Sequence, residues 1–220
     1  VDACMGIPGL PQSATGQTAL LTGQNAPQLL GRHLNGFPNQ KLRDVIQEHS
    51  ILKQLNEKGC TAAFINAFRP PFFDFDPSQI IRHLSVTTVT NLYAGLPFFN
   101  VDDLINERAI YQDISNNSLI EKGFDVSVIA PEKAGKILAQ QSLKYDFTLF
   151  EYFQTDRAGH SRNMERAVNE LKILQEFLNS LLANVEKETL IILTSDHGNI
   201  EDISVKGHTK NPAFTLLFGE

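Results

Sequence analysis

An acidic residue and a histidine stand four positions apart where a strand-like segment ends. Asp156 and His160 follow the apolar run 145–153, and this spacing can place both side chains on one face of a starting helical turn. A carboxylate and an imidazole arranged in this way can bind one metal ion. A second interpretation stays open at this point, in which Asp156 only caps the helix and His160 is a surface histidine.

Side chains of the same two types follow the next strand-like run. Asp196 and His197 are adjacent after residues 189–194, and His208 precedes the last strand-like run, 213–218. Adjacent side chains normally diverge, so the first two can reach one ion only from an irregular loop; alternatively, Asp196 caps a turn and pairs with His197. Oxygen and nitrogen ligands without thiolates suit Zn²⁺ or Mn²⁺, and their number predicts two divalent ions.

A hydroxyl group stands at the start of another predicted helix. Ser13 begins the segment S-A-T-G-Q-T-A-L-L, which Gly23 closes. The free N–H groups and the dipole of a helix N-terminus favour a phosphate or an alkoxide, so Ser13 held there against a divalent cation would be an activated nucleophile. The plain alternative is that Ser13 caps the helix.

These side chains need a sheet that gathers them at one edge. The predicted strands are 61–66, 145–153, 189–194 and 213–218, and the predicted helices are 42–55, 131–141 and 161–185. Alternation of this kind is typical of an α/β domain with a mainly parallel sheet, in which functional residues collect at the carboxyl ends of the strands. We expect a single domain over residues 1–220. Residues 68–125 are rich in aromatic residues, Pro and Asn with weak periodicity, and we interpret them as a cap or insertion.

Composition excludes several classes of function. The chain has 220 residues, 42% of them hydrophobic and 20% charged, which is enough for an ordinary globular core. A net charge of -6 argues against binding to nucleic acid or to an anionic membrane. Its two cysteines form no disulfide framework, and no apolar run approaches the roughly 20 residues of a spanning helix. We expect a cytoplasmic protein.

The remaining histidines lack comparable neighbours. We predict that His33, His49 and His83 are not metal ligands. Arg69 precedes two prolines, and we interpret it as part of a solvated loop rather than as a contact to a substrate phosphate.

Four segments occur together in a characteristic order. They are Q-S-A-T-G-Q at 12–17, D-x-x-x-H at 156–160, T-S-D-H-G-N at 194–199 and G-H-T-K-N-P at 207–212. In this order they resemble the alkaline phosphatase superfamily of metalloenzymes, and within it the branch of cofactor-independent phosphoglycerate mutase and phosphopentomutase. The resemblance runs from about Gly9 to the C-terminus and implies a three-layer α/β/α sandwich.

The resemblance also implies roles for the matching positions. One metal ion would be held by Asp156, His160 and His208. The other would be held by Asp196, His197 and Ser13, with Ser13 as the nucleophile and Thr15 as the second choice.

The chain departs from the family pattern in three places. Relatives carry another metal-binding Asp at the end of a first strand, whereas only twelve residues precede Ser13 here, so we expect the second metal site to be incomplete. Relatives also continue with a helix after the last strand, and we therefore expect both termini to be truncated relative to the family. Gln17 stands where the mutases carry His, which argues against phosphoglycerate as the substrate.

The reaction that the resemblance implies is metal-dependent phosphoryl transfer on a small phosphorylated substrate. We favour hydrolysis of a phosphate ester through a phosphoserine at Ser13. A phosphomutase of a small phosphosugar or phosphoacid would use the same intermediate. A degenerate member that binds metal without catalysis is the alternative of another class, and the missing carboxylate motivates it. A sulfatase is disfavoured because C-x-P-x-R and S-x-P-x-R are absent.

Overall fold

Residues 1–219, the part of the chain that the computed structural model describes, form eleven α-helices and four short strands. The α-helices are α1 (Ser13–Thr22), α2 (Ala26–Leu30), α3 (Gln40–His49), α4 (Ile51–Glu57), α5 (Pro77–Ile80), α6 (Val86–Tyr93), α7 (Val101–Ile105), α8 (Asn117–Ile120), α9 (Pro131–Ser142), α10 (Gln154–Ser161) and α11 (Met164–Asn184). The strands are β1 (Ala62–Phe64), β2 (Phe147–Leu149), β3 (Ile191–Thr194) and β4 (Thr215–Phe218). Two turns of 3₁₀ helix span Pro70–Phe72 and Ile81–His83.

The strands pair in two ways. β1 and β2 are parallel, with Ala62 opposite Phe147 and Phe64 opposite Leu149. β3 and β4 are antiparallel, a departure from the parallel pairing expected there. Parallel neighbours need a crossover, usually through a helix, and the structure places no helix in the connection over residues 195–214.

Helices cover both faces of the β1–β2 pair. Phe147 and Leu149 point to one face, where they pack against residues of α4 and α6 such as Leu52. Phe150 points to the other face and packs against Phe177 of α11 in a cluster that includes α9. This arrangement is the helix, sheet, helix layering expected from the sequence.

The long helix α11 packs closely on α9. At Gly135 of α9 an added Cβ would lie 2.5 Å from the backbone oxygen of Phe177, so the contact requires a glycine.

Among residues 1–219 no helix, α11 included, combines the length and the apolar character that crossing a membrane requires.

Capping residues divide one predicted helix and delay the start of another. Ser50 ends α3, and its hydroxyl accepts a hydrogen bond from the backbone N–H of Lys53 to begin α4. Arg162 adopts a left-handed conformation with φ 54°, and the Asn163 side chain caps α11, so α10 and α11 are separate helices. The apolar spacing continues across the break at Ser50, so the single helix predicted over 42–55 was wrong. The helix predicted over 161–185 is observed as α11, which begins three residues later, at Met164.

The second strand pair is far more exposed than expected. Leu190, Ile192 and Leu217 each leave more than half of their surface accessible. The prediction that these strands are buried was wrong. An apolar run indicates a strand but does not indicate how many layers cover it.

Helices within residues 68–125 share cores with the rest of the molecule. Val86 and Val89 of α6 pack with Ala14 and Leu42, from α1 and α3. Ile110 belongs to the cluster on the opposite face of the β1–β2 pair. The interpretation of residues 68–125 as a cap or insertion stays a prediction.

Candidate active site

Three of the predicted ligands meet beyond the end of β2. Asp156 and His160 lie on α10, with Asp156 Oδ1 3.3 Å from His160 Nε2. His208 arrives from the loop before β4 and brings its Nε2 to 3.6 Å from the same oxygen. One potential ligand atom from each residue lies within 4.8 Å of the others. We call these three residues the outer cluster, because the Asp156 and His160 side chains are 41% and 40% exposed, although that of His208 is only 5% exposed.

Backbone carbonyls orient both imidazoles of the outer cluster. His160 Nδ1 lies 2.7 Å from the carbonyl oxygen of Lys206, and His208 Nδ1 lies 2.8 Å from that of Pro11. A carbonyl oxygen can only accept a hydrogen bond, so each Nδ1 carries the donated proton and each ring turns its Nε2 towards Asp156. Metal-binding histidines are commonly oriented in this way.

The outer cluster fits a divalent cation. The Nε2 atoms of two imidazoles and a carboxylate oxygen face one another, and such a group is stable only when protons or a metal ion lie between these atoms. Asp156 Oδ1 is itself buried and without a hydrogen-bond partner. Nitrogen and oxygen ligands without a thiolate suit Zn²⁺ or Mn²⁺.

The charges of the outer cluster stabilise one another. Burial would raise the pKa of Asp156, but the contact with His208 and the charge of His160 outweigh it and hold the pKa below its usual range. Burial would lower the pKa of His208, but the contact with Asp156 and the Pro11 carbonyl raise it instead. Asp156 is therefore ionised at neutral pH.

Ser13, Asp196 and His197 form a second group, which we call the inner cluster. Ser13 Oγ lies 3.0 Å from His197 Nε2, and that nitrogen lies 3.5 Å from Asp196 Oδ1. Asp196 and His197 lie on an irregular loop, as their convergence requires. The side chains of His197 and Asp196 are 3% and 19% exposed, and burial raises the pKa of Asp196 and lowers that of His197. Both shifts favour the uncharged forms.

Ser13 is the first residue of α1 rather than its cap. Gln12 occupies the cap position, and its side chain makes no capping hydrogen bond. The capping role considered for Ser13 is therefore wrong, and its hydroxyl is available to His197. Thr15 is fully buried, and its hydroxyl donates to the Gln12 carbonyl and accepts from the Leu34 N–H. Of the two candidate nucleophiles, only Ser13 places its hydroxyl next to His197.

The two clusters adjoin. The rings of His197 and His208 stack with their centroids 3.6 Å apart and their planes 17° apart. Helix α1 lies directly against the inner loop, since a Cβ at Gly16 would lie 2.5 Å from the backbone oxygen of Asp196. Residues from both ends of the chain thus meet in one place.

Sequence reasoning missed a third carboxylate beside the inner cluster. Glu151 follows β2, and its two oxygens accept hydrogen bonds from Gln17 Nε2 at 3.1 Å and from Thr87 Oγ at 2.5 Å. Dense packing around this half-buried side chain raises its pKa to about 7, with the charge of Asp196 contributing. Glu151 lies inside the predicted strand 145–153, and an acidic residue within such an apolar run was the available signal.

The other histidines lie elsewhere. His33 Nε2 contacts the carbonyl oxygen of Ile7, His49 lies beside Glu48, and His83 packs edge-on against Phe37. The two clusters therefore use only the histidines of the second half of the chain.

Comparison with protein families assigns the class. Residues 72–220 match the model of the Metalloenzyme superfamily. The match covers well over half of the sequence, so the chain belongs to the Metalloenzyme superfamily, with its alkaline-phosphatase-like α/β fold.

Individual relatives match over part of their length. The chain is 32% identical over 135 residues to a 2,3-bisphosphoglycerate-independent phosphoglycerate mutase of Mycoplasmoides gallisepticum, covering 56% of this chain and 26% of the relative. It is 24% identical over 192 residues to the protein of the same name from Ehrlichia ruminantium, covering 80% of this chain and 32% of the relative. Among solved structures, the PH0037 protein from Pyrococcus horikoshii is similar with a TM-score of 0.44 and 16% identity, over 82% of this chain and 45% of that one. The chain thus spans a third or less of the length of these two mutases.

Proposed function

We propose that this protein catalyses metal-dependent phosphoryl transfer, and that its reaction is hydrolysis of a small phosphate ester through a phosphoserine at Ser13. The observation that carries the proposal is the position of the Ser13 hydroxyl, 3.0 Å from His197 Nε2 and next to the stacked ring of His208. No other hydroxyl considered from the sequence combines a helix N-terminus with adjacent imidazoles.

Helix α1 prepares Ser13 for a negative charge. The side chain stands on the first residue of a ten-residue helix, where the positive end of the helix dipole stabilises a phosphate. The hydrogen bond with His197 fixes the direction of the hydroxyl oxygen. Ala14 and Gly16 follow without long side chains.

Each cluster would hold one divalent ion, Zn²⁺ or Mn²⁺. The outer ion would be held by Asp156, His160 and His208, and the inner one by Asp196, His197 and Ser13. Ions bound there would promote ionisation of the Ser13 hydroxyl and neutralise charge on the phosphoryl group. In the first step a bond forms between Ser13 Oγ and phosphorus while the ester bond breaks, and the serine proton ends on the leaving alcohol. Water then hydrolyses the phosphoserine.

A phosphomutase is the second candidate function. The sequence similarity to proteins named as phosphoglycerate mutases supports it. The two reactions share the phosphoserine and differ only in whether water or the substrate accepts the phosphoryl group. Gln17, which stands where the mutases of the resemblance carry His, is engaged with Glu151, and this favours the hydrolase.

Substitution of Ser13 tests the proposal. With Mn²⁺ or Zn²⁺ supplied, we expect Ser13→Ala to abolish hydrolysis of p-nitrophenyl phosphate and trapping of a phosphoenzyme. Thr15→Ser is the matched control, because it keeps the hydroxyl that binds Gln12 and Leu34, and it should retain both activities. Wild-type turnover in Ser13→Ala would overturn the assignment of the nucleophile.

Two further outcomes separate the alternatives. Interconversion of 3- and 2-phosphoglycerate without release of phosphate, followed by ³¹P NMR, would establish the mutase. Metal binding in calorimetry, without turnover and without a phosphoenzyme, would establish that the protein is a degenerate member that binds metal without catalysis.

A further inference from the structure

One carboxylate holds together the two loops that carry His197 and His208. Glu201 Oε2 accepts a hydrogen bond from the backbone N–H of Asn199 at 2.6 Å. Glu201 Oε1 accepts from the Asn211 side-chain amide at 3.1 Å and also from the hydroxyl of Thr209. The first loop is thus bonded to one oxygen of the carboxylate and the second loop to the other.

The two loops approach each other directly at this point. The backbone N–H of Thr209 donates to the carbonyl of Gly198 at 3.0 Å, an isolated antiparallel bridge. A Cβ at Gly198 would lie 2.3 Å from Thr209 Oγ and 2.6 Å from a Glu201 oxygen. Only glycine admits the carboxylate and the threonine together.

The residues that Glu201 holds are immediate neighbours of the histidines. His208 directly precedes Thr209, and His197 stands two positions before Asn199. Asn199 and Thr209 are both buried, so the surrounding protein restrains them together with Glu201. Fixing them fixes the 3.6 Å stack of the two imidazoles, one from each cluster.

We propose that Glu201 is a positioning residue that sets the register of His197 against His208 and so couples the two clusters. The proposal rests on the proposed function, since it takes these histidines as metal ligands. Glu201 acts through the loops and is separate from both ligand sets.

The chemistry requires a carboxylate at this position. Three donors converge on Glu201, and an ionised carboxylate is the one common side chain that offers only acceptors on two oxygens. In Glu201→Gln one oxygen becomes an NH₂ group, which would face a donor from one of the loops. That loop loses its contact while the size of the side chain is unchanged.

The test compares Glu201→Gln with Asp202→Asn. Asp202 is the next residue, carries the same charge and accepts hydrogen bonds only within its own turn, from Ser204. We expect Mn²⁺ affinity, measured by calorimetry, to fall roughly 10–100-fold in Glu201→Gln, the usual cost of losing a group that orients a metal ligand. Asp202→Asn should stay within about twofold of the wild-type affinity. The visible absorption of bound Co²⁺, which reports ligand geometry, should change in Glu201→Gln alone.

A second pair of variants covers the case in which Glu201→Gln does not fold. Thr209→Val removes the hydroxyl, which donates to Glu201 and accepts from the backbone N–H of Asn211, and Thr209→Ser retains it. We expect weaker Mn²⁺ binding in Thr209→Val and near wild-type binding in Thr209→Ser.

The outcomes separate this inference from the function on which it rests. A wild-type protein that binds neither Mn²⁺ nor Co²⁺ would overturn the proposed function and the inference with it. A wild-type protein that binds metal, with unchanged affinity and unchanged Co²⁺ absorption in Glu201→Gln, would overturn the inference alone.

Discussion

The outer and inner clusters each contain an aspartate and a histidine, and the pKa values of these groups are shifted in opposite directions. In the outer cluster, opposite charges lower the pKa of Asp156 and raise that of His208. In the inner cluster, burial raises the pKa of Asp196 and lowers that of His197. The difference follows from solvent access and partners, since Asp156 is much more exposed than Asp196 and faces two imidazoles.

From this contrast we infer different roles for the two clusters. In the outer cluster Asp156 is already ionised, lies partly exposed to solvent and faces two imidazoles, so it is suited to capturing a cation from solvent. The inner cluster favours neutral groups until a cation is present, and it contains the hydroxyl proposed as nucleophile. Three predictions test this division.

The largest effect is expected at His208. We expect His208→Ala to weaken Mn²⁺ binding at least about 100-fold, or at least about 2.7 kcal/mol. Its ring is buried, held by the Pro11 carbonyl and stacked on His197, so water cannot replace it. His160→Ala should cost about tenfold, because solvent can fill the exposed ligand position. Equal losses in calorimetry would contradict the division into a buried and an exposed ligand.

The second prediction concerns Glu151 on the inner side. Its pKa is raised from 4.5 to about 7, mainly by burial, so between these values the folded protein binds more protons than the unfolded chain. The free energy of unfolding should therefore fall as the pH rises from about 4.5 to about 7, by at most about 3 kcal/mol.

Glu151→Gln isolates this contribution from all other titrating groups. It keeps the size of the side chain and removes its titration. The free energy of unfolding of the variant should therefore rise relative to that of the wild type as the pH increases across this range. Urea unfolding of the metal-free protein at several pH values measures it. A constant difference would show that Glu151 titrates in the folded protein as it does in the unfolded chain.

The smallest effect separates the two aspartates. In the metal-free protein Asp156→Asn should lower the free energy of unfolding by about 1 kcal/mol or less, because it removes contacts with two imidazoles that are partly screened by solvent. Asp196→Asn should leave stability unchanged or raise it slightly, since burial already disfavours the charge of Asp196. Thermal unfolding of both variants at pH 7 checks the sign of each change, and destabilisation by Asp196→Asn alone would reverse the contrast.

Some features of the site were accessible from local sequence. The four-residue spacing of Asp156 and His160 predicted their shared face on a helical turn, and the structure places them 3.3 Å apart on α10. The helix predicted over 131–141 is observed as Pro131–Ser142. The order of the four motifs, which is that of the family, indicated that His208 lies close to Asp156 and His160 although almost fifty residues separate it from them. The structure places His208 Nε2 3.6 Å from Asp156 Oδ1.

Other features were not accessible, because they depend on a few atoms from distant segments. Local sequence could not decide whether Ser13 caps α1, since its hydroxyl suits a cap and a nucleophile equally. Glu201 was overlooked, although it lies two positions beyond the T-S-D-H-G-N segment, because nothing local indicates that its partners come from residues 209–211.

Local sequence was enough to identify the residue types of the two clusters, most of the helices and strands that carry them, and the layered α/β class. Hydrophobic periodicity and the chemical types of the side chains are properties of a few neighbouring residues, so they can be recognised in the sequence alone. Tertiary structure alone decided that Ser13 faces His197, that the β3–β4 pair is antiparallel and exposed, and that Glu151 and Glu201 stand beside the clusters. These outcomes depend on which surfaces of remote segments pack together, and the free energy of that packing is a property of the whole fold rather than of any one segment.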